Sequence, residues 1–347
     1  HERKQTRMSQ AGECDCWIEP DDTYIEVTEF DWDDCQGGGV GVDCWMGPIG
    51  FNGWSFDLYG TTYDAFYITS KGTISFDTGF IDWTPDEFPG ATWNQIAGYW
   101  ADSDFTEIGE LHYKLTPEAL YVNVIDVGYY SGHSDKTNSF QMILTPDGGL
   151  LGDEKNVQLC FQNMDWAHGD VGGGNGFNGP SPGNVGADRA STLGPNIQFG
   201  RFNLNSSVYN GPYGFNNQNQ DGIHWLDYKV FEFNTASTSI NIPPIPTISF
   251  GCDTIQVCLN DTLSLDMEFL APETQQLVNI TIEAEGEGLV VNSITPGSPA
   301  SIDIDFIGSM DNLGIQAITI TATDVGDPVG ITTVVIYVNV VPIELPV

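Results

Sequence analysis

Three aspartates in this chain have the chemistry and the setting to bind a hard cation. Asp102 and Asp104 close the run Trp100-Ala101-Asp102-Ser103-Asp104, directly after an apolar stretch at 96–100, and Asp135 precedes a second apolar stretch at 139–144. A strand that ends in carboxylates presents oxygens at a sheet edge, and calcium takes roughly six to eight oxygen ligands. Two aspartates cannot supply that number, so loop carbonyls and Asp135 would have to converge on Asp102 and Asp104, with calcium as the expected cofactor. The competing reading is that Asp102 and Asp104 cap a turn, where aspartate is favoured for its own hydrogen bonds.

Catalysis has weaker support. The five histidines, at 1, 112, 133, 168 and 224, are dispersed, and none falls in a His-Glu-x-x-His helix or beside a Gly-x-Ser-x-Gly elbow. Acidic pairs of the glycosidase kind are uninformative in a chain with 48 Asp and Glu. Aromatics beside carboxylates, Trp83 with Asp86 and Trp166 with Asp165 and Asp170, suit a sugar-binding face better than a reaction centre. The expectation is a non-catalytic protein.

The elements that must position these residues are strands. Forty Gly and nineteen Pro among many Val, Ile, Thr, Tyr and Phe favour strands and turns. No window carries an apolar repeat at helical spacing, and no run approaches the length of a membrane span. The fold class is all-β. Strands are expected at 54–58, 65–69, 73–76, 95–100, 111–115, 120–127, 139–144, 157–161, 197–202 and 229–233, with turns such as Ser70-Lys71-Gly72 between them. Trp93, Trp100, Trp166 and Trp225 are expected in the core. Residues 168–187, rich in Gly, Asn and Pro, read as a long surface loop that could form a recognition rim with 216–221.

Five blocks within this region resemble the nidogen-like extracellular domain, in that family's order over roughly residues 50–235. They are the segment at 66–76 ending in Gly72-Thr73-Ile74-Ser75-Phe76, the Trp-Ala-Asp-x-Asp run at 100–104, Asn138-Ser139-Phe140-Gln141, Met164-Asp165-Trp166-Ala167-His168-Gly169-Asp170, and Asp221-Gly222-Ile223-His224-Trp225-Leu226-Asp227. The resemblance implies a β-sandwich-type domain that serves adhesion or matrix assembly without catalysis. It also implies a secreted or cell-surface location.

Residues 248–347 alternate cleanly. Leu263, Leu265, Met267 and Phe269 are interleaved with Ser264, Asp266 and Glu268, and the pattern returns at Val278, Ile302, Ile318 and Val334. About seven such strands predict an immunoglobulin-like sandwich, and the stretch Ala322-Thr323-Asp324-Val325-Gly326-Asp327-Pro328 is similar to cadherin-type and bacterial Ig-like repeats. The cadherin linker Asp-x-Asn-Asp-Asn is absent. The expected organisation is a tail and Cys-containing cap at 1–50, a nidogen-like domain at 51–240, a Pro-rich linker at 241–247 and the Ig-like domain at 248–347. The His start reads as a trimmed end that followed a signal peptide, and Pro342 to Pro346 as a linker to further repeats.

Seven cysteines favour an oxidising compartment. Cys14, Cys16, Cys35 and Cys44 are expected to form disulfides whose pairing is open, although Cys14 and Cys16 are too close to pair with each other. Cys252 and Cys258 are expected to staple the opening strand of the second domain, and Cys160 to be a lone buried thiol. Zinc is disfavoured because the spacing is not that of Cys-x-x-Cys knuckles.

The net charge of −38, with no Lys or Arg after Lys229, repels nucleic acid and anionic membrane and attracts divalent cations. It is equally a solubility adaptation to a salty medium. The combined expectation is the N-terminal part of a large adhesin of Bacteroidetes-type bacteria, with an extracellular protein, a glycan or other surface-assembly subunits as partners. A lectin-like carbohydrate-binding module is the alternative. Asp253-Thr254-Ile255 and Asp261-Thr262-Leu263 resemble the short sites at which such bacteria attach O-glycans, so Thr254 and Thr262 are expected to be modified. The alternative is a pair of plain strand threonines. Glycopeptides carrying Thr254 and Thr262 should appear in protein from the native host, and peptide masses equal to the bare sequence would dismiss both sites.

Overall fold

The computed structural model describes residues 16–28, 31–35, 41–90, 92–146, 149–152, 155–170, 175–191, 195–212, 220–239, 241–248, 254–273 and 276–342. The chain divides into two compact units, a larger one built on Trp17–Ile242 and a smaller one on Pro243–Ala271 and Gln275–Val347. Among the described residues both are made of strands and short 3-10 turns, so the all-β expectation holds.

Among its described residues the larger unit contains a separate two-stranded hairpin, Phe56–Leu58 with Thr61–Tyr63, and two large sheets. One has the order Ile25–Glu26, Glu110–Leu115, Leu120–Tyr129, His133–Leu144, Val157–Met164 and Val230–Phe233, all antiparallel, with the short strand Ser103–Asp104 also on Leu120–Tyr129. The other has the order Asp221–Gly222, Ile197–Leu204, Gly183–Arg189, Asn94–Trp100, Thr73–Ser75, Ala65–Thr69, Cys44–Gly50 and Asp34–Cys35, and only its first pair is parallel.

Aromatic side chains fill the space between the sheets. The Tyr99 ring lies 6.4 Å from Phe140 and 5.8 Å from Trp166, and Phe199 stacks on Phe231 at 4.2 Å. Gly98 allows the close approach, since a Cβ there would come within 2.8 Å of both Met142 and Phe140. Asn94–Trp100 is buried almost throughout because the chain between Ser75 and Asn94 folds back over it, placing Phe80 and Phe88 against Ala97 and Trp100. Cover on both sides explains an apolar run without alternation. Each large apolar side chain buried here contributes about 1.5–3 kcal/mol.

The smaller unit is a sandwich of two four-stranded sheets. Ile245–Ile248, Thr262–Leu270, Ala300–Ile307 and Leu289–Thr295 are neighbours in that order, and the second sheet runs Thr254–Cys258, Ile331–Val341, Gly314–Thr323, Asn279–Ala284. The alternating residues behave as their spacing demands. Leu265, Met267 and Phe269 join Ile302, Ile304, Phe306, Ile318, Ile320, Ile336 and Val338 in one core, while Ser264 and Asp266 are exposed. Thr254 and Thr262 both stand exposed at the starts of their strands.

Several details differ from the sequence reading. Cys44–Gly50 and Asp34–Cys35 are members of the second sheet rather than a separate cap, because Cys44–Gly50 pairs with Ala65–Thr69. Gly183–Arg189, placed in a surface loop by its glycines, is an interior strand between Asn94–Trp100 and Ile197–Leu204. Small residues are needed there, since a Cβ at Gly183 would lie 2.3 Å from the Tyr99 hydroxyl. Ile245–Ile248, read as the end of a linker, pairs with Thr262–Leu270.

The cysteines bring a further correction. Cys35 and Cys44 face each other across adjacent strands and are bridged. Cys160 is disulfide-bonded rather than a lone thiol, and so is Cys16. The N-terminal segment crosses the Cys160 region: Ile18 N–H donates to Gln141 Oε1 at 3.3 Å, and Gln141 Nε2 and Asn123 Nδ2 each donate to the Ile18 carbonyl at 2.9 Å. Gln141 is the cross-strand partner of Cys160. That long-range approach leaves no trace in cysteine spacing. Cys258 is a free thiol, so the expected Cys252–Cys258 staple is absent; Cys14 and Cys252 lie outside the described residues. Alkylation of the denatured, unreduced chain should label Cys258 and leave Cys35, Cys44 and Cys160 unlabelled until reduction. A label on Cys160 before reduction would contradict the structure.

Candidate functional site

The hairpin turn Ser70-Lys71-Gly72 projects into the larger unit rather than into solvent. Gly72 has a positive φ of 78°, and a Cβ there would sit 2.2 Å from the Tyr99 carbonyl, so only glycine fits. Ser70 anchors the turn: its hydroxyl accepts from Cys44 N–H at 2.9 Å and donates to the Val42 carbonyl. Lys71 is completely buried. Its Nζ donates to Asp102 Oδ1 at 2.7 Å and to the Ser103 carbonyl at 3.3 Å. Asp43 Oδ1 lies 2.8 Å from the same nitrogen, but outside hydrogen-bonding angles, so that contact is ionic only. Burial raises the Asp102 pKa and the adjacent Lys71 cation opposes the rise.

The three aspartates expected to share calcium are held apart by separate partners. Asp102 is occupied by Lys71. Asp104 accepts from Thr106 N–H at 2.9 Å through one oxygen and from Gly132 N–H at 2.7 Å through the other. Asp135 accepts from the Tyr129 hydroxyl at 3.0 Å and pairs with Lys136, whose hydrogen bond holds its carboxyl below the usual range. Among the described residues no three His, Cys, Asp or Glu side chains are grouped to hold a metal ion. A buried ammonium occupies the place a metal would take at Asp102, so this donor set does not fit calcium. The turn-cap reading fits Asp104.

The nearby histidines are structural. His168 is buried, with Nδ1 2.8 Å from the Ser181 carbonyl. His133 stacks on Tyr129 at 4.4 Å, and its Nε2 lies 3.1 Å from Asp170 Oδ2. Trp166 is fully enclosed, and its Nε1–H donates to the Val127 carbonyl at 2.9 Å. It cannot serve as the sugar platform suggested by its neighbours Asp165 and Asp170.

A ligand-sized groove lies elsewhere on the larger unit. It has a volume of about 560 Å³ and is lined by Asp34, Asp43, Trp45, Phe80, Asp82 and Trp83, with Trp93 at its wall. Phe80 stacks flat on Trp93 at 4.9 Å, giving an aromatic wall. The backbone of Gly79 lies against the Trp45 ring. Trp83 is 38 % exposed. Asp82 fixes the loop in place: its Oδ1 accepts from Thr84 N–H at 2.9 Å, and its carbonyl accepts from Trp100 Nε1–H at 2.8 Å. Faces of indole rings beside carboxylate oxygens can stack on a sugar ring and accept its hydroxyl protons, or hold a cationic group. The Trp83 signal was legible in the sequence. The contributions of Trp45 and Asp43 were not, because they arrive from residues assigned to a cap.

A second buried acid also escaped the sequence reading. Asp221 is fully buried and accepts from Asn210 N–H at 2.8 Å, and among the described residues its Oδ2 has no hydrogen-bond partner of good geometry. Burial pushes its pKa up to about 7. Because the folded state holds this proton above the unfolded pKa, stability should fall as pH rises from about 4 to about 7. The loss at full ionisation is on the order of 4 kcal/mol. Asp221→Asn should flatten that slope and raise the melting temperature at pH 8, as read by thermal unfolding across the pH series. An unchanged slope would remove Asp221 as its source.

Comparison with known proteins identifies part of this architecture. Residues 47–149 match the family described as NIDO related. Human alpha-tectorin is 25% identical over 149 residues, covering 35% of this chain and 7% of alpha-tectorin. A solved structure, a nucleoside hydrolase-related hypothetical protein from Saccharophagus degradans associated with carbohydrate metabolism, shares 19% identity. It covers 30% of this chain and 28% of its own, with a TM-score of 0.22. The chain therefore spans only a small part of the relatives it matches. The family match takes in the hairpin with Lys71, the Asp102 segment and most of the residues that line the groove.

Proposed function

We propose that this chain is a non-catalytic extracellular adhesion module, from the N-terminal part of a large multi-domain bacterial adhesin. The observation that carries the reading is the NIDO-related match at 47–149, which falls on the sheet bearing the aromatic and acidic groove. A groove of this volume, walled by stacked rings beside carboxylates, supports a binding role.

Two further features support it. In the smaller unit, Thr262–Leu270 lies between Ile245–Ile248 and Ala300–Ile307, and Gly314–Thr323 between Ile331–Val341 and Asn279–Ala284. This order supports reading the unit as an immunoglobulin-like sandwich, a module that adhesins string together. The disulfides at Cys35–Cys44, Cys16 and Cys160 suit an oxidising, extracellular setting. The charge of −38 argues against nucleic acid as a partner.

A carbohydrate-binding module is the second reading, favoured by the exposed Trp83 beside Asp82. Immobilised chain probed against extracellular matrix proteins and against a glycan array separates the two. Binding to either should fall at least about fivefold in Trp83→Ala, given stacking worth about 1 kcal/mol or more, with the melting temperature unchanged. Retention of neither class at micromolar concentration would remove the adhesion reading. Full binding by Trp83→Ala would remove the groove as its site.

A further inference from the structure

We propose that Lys71 and Asp102 become joined by an intramolecular amide bond, with Asp43 carrying the proton. The geometry supplies the parts. Lys71 Nζ sits 2.7 Å from Asp102 Oδ1 and 2.8 Å from Asp43 Oδ1, with the lysine side chain fully buried and the two carboxylates 3% and 16% exposed. One carboxylate is enough to balance a buried ammonium, so the second leaves the cluster with an excess negative charge that a dry site tolerates poorly. Amide formation removes one cation and one anion together; the net charge is unchanged, but it no longer rests on the nearly inaccessible Asp102 and stays on Asp43, the more exposed of the two carboxylates.

The reacting groups are also held still. The lysine amine is fixed by the Ser103 carbonyl at 3.3 Å, its backbone carbonyl accepts from Ala101 N–H at 3.2 Å, and the Asp102 carbonyl accepts from Tyr130 N–H at 3.0 Å. The backbone of Gly169 packs onto the Asp102 carboxylate, since a Cβ there would come within 2.3 Å of the Asp102 side chain. Well-oriented intramolecular partners reach effective molarities on the order of 10⁵ M or more. Exclusion of water disfavours the reverse hydrolysis.

The step balances without a co-reactant. Lys71 ammonium passes a proton to Asp43, and the free amine attacks Cγ of Asp102. A C–N bond forms, one Asp102 C–O bond breaks, and that oxygen departs as water after taking the proton from Asp43 and a second proton from the amine nitrogen. Asp43 returns to its carboxylate form. Asp43 Oδ1 lies 2.8 Å from Nζ and accepts no other hydrogen bond among the described residues, so a rotation about the lysine Cε–Nζ bond that aims an N–H at it is enough to start the transfer.

Peptide mapping of the folded, then reduced and digested, chain reads the bond directly. Trypsin should fail to cut after Lys71, so residues 8–114 should appear as one peptide closed into a loop and lighter than the linear sequence by one water. Lys71→Arg keeps the charge and should yield only separate peptides. Asp102→Asn should still crosslink, now losing ammonia, whereas Asp43→Ala should not crosslink while keeping the wild-type circular dichroism. Separate, unmodified Lys71 and Asp102 peptides in the wild type would overturn the proposal and leave an ion pair only. A crosslink in Asp43→Ala would overturn the role of Asp43.

Discussion

The fully buried Lys71 constrains the larger unit more than any other single group. An ammonium removed from water survives only against carboxylates placed with sub-ångström care, and both carboxylates come from distant parts of the chain. Asp43 precedes the strand Cys44–Gly50, and Asp102 follows Asn94–Trp100. The hairpin between Ala65–Thr69 and Thr73–Ser75 supplies the lysine. Three segments of one sheet therefore share one charge centre, and removing Lys71 or Asp102 breaks its tightest pair. Breaking a buried pair in this way costs about 3–5 kcal/mol. The same cluster occupies the Asp102 oxygen that a metal would need.

Much of the fold was legible in the residues. Strict alternation at Leu263, Leu265, Met267 and Phe269 gave the inward face of its strand, because period-two burial has one geometric solution. Ala65–Thr69 and Asn94–Trp100 were visible as apolar runs. The misses share a cause. Gly183–Arg189 is rich in small residues because it passes beside Tyr99 and Trp100, and composition cannot tell a glycine required by crowding from one required by a turn. Lys71 occupies a hairpin turn where a lysine ordinarily points to water, and its burial depends on a carboxylate 31 residues away. Cys160 is disulfide-bonded although it stands alone in the sequence, and local pattern does not encode such a long-range approach.

The groove and the charge cluster share Asp43, which lines the first and belongs to the second. The wall of the groove is thus connected to the packing of the hairpin through one side chain. Trp45 sits two residues further along, on a strand tied to its neighbour by Cys35–Cys44. A recognition surface assembled on bridged strands and a buried ion cluster is preorganised, so little conformational entropy remains to be lost on binding.

In the smaller unit, Thr254–Cys258 runs parallel to Ile331–Val341, pairing Thr254 with Tyr337 and Cys258 with Val341. The early and late strands of this sandwich therefore point the same way. Tension drawn through the beginning of one and the end of the other acts along the strands, and their hydrogen bonds resist it together. A hairpin pulled apart from its open end yields bond by bond instead. The order in which this sandwich lays down its second and last strands makes it a mechanical shear joint, stiff along the strand axis.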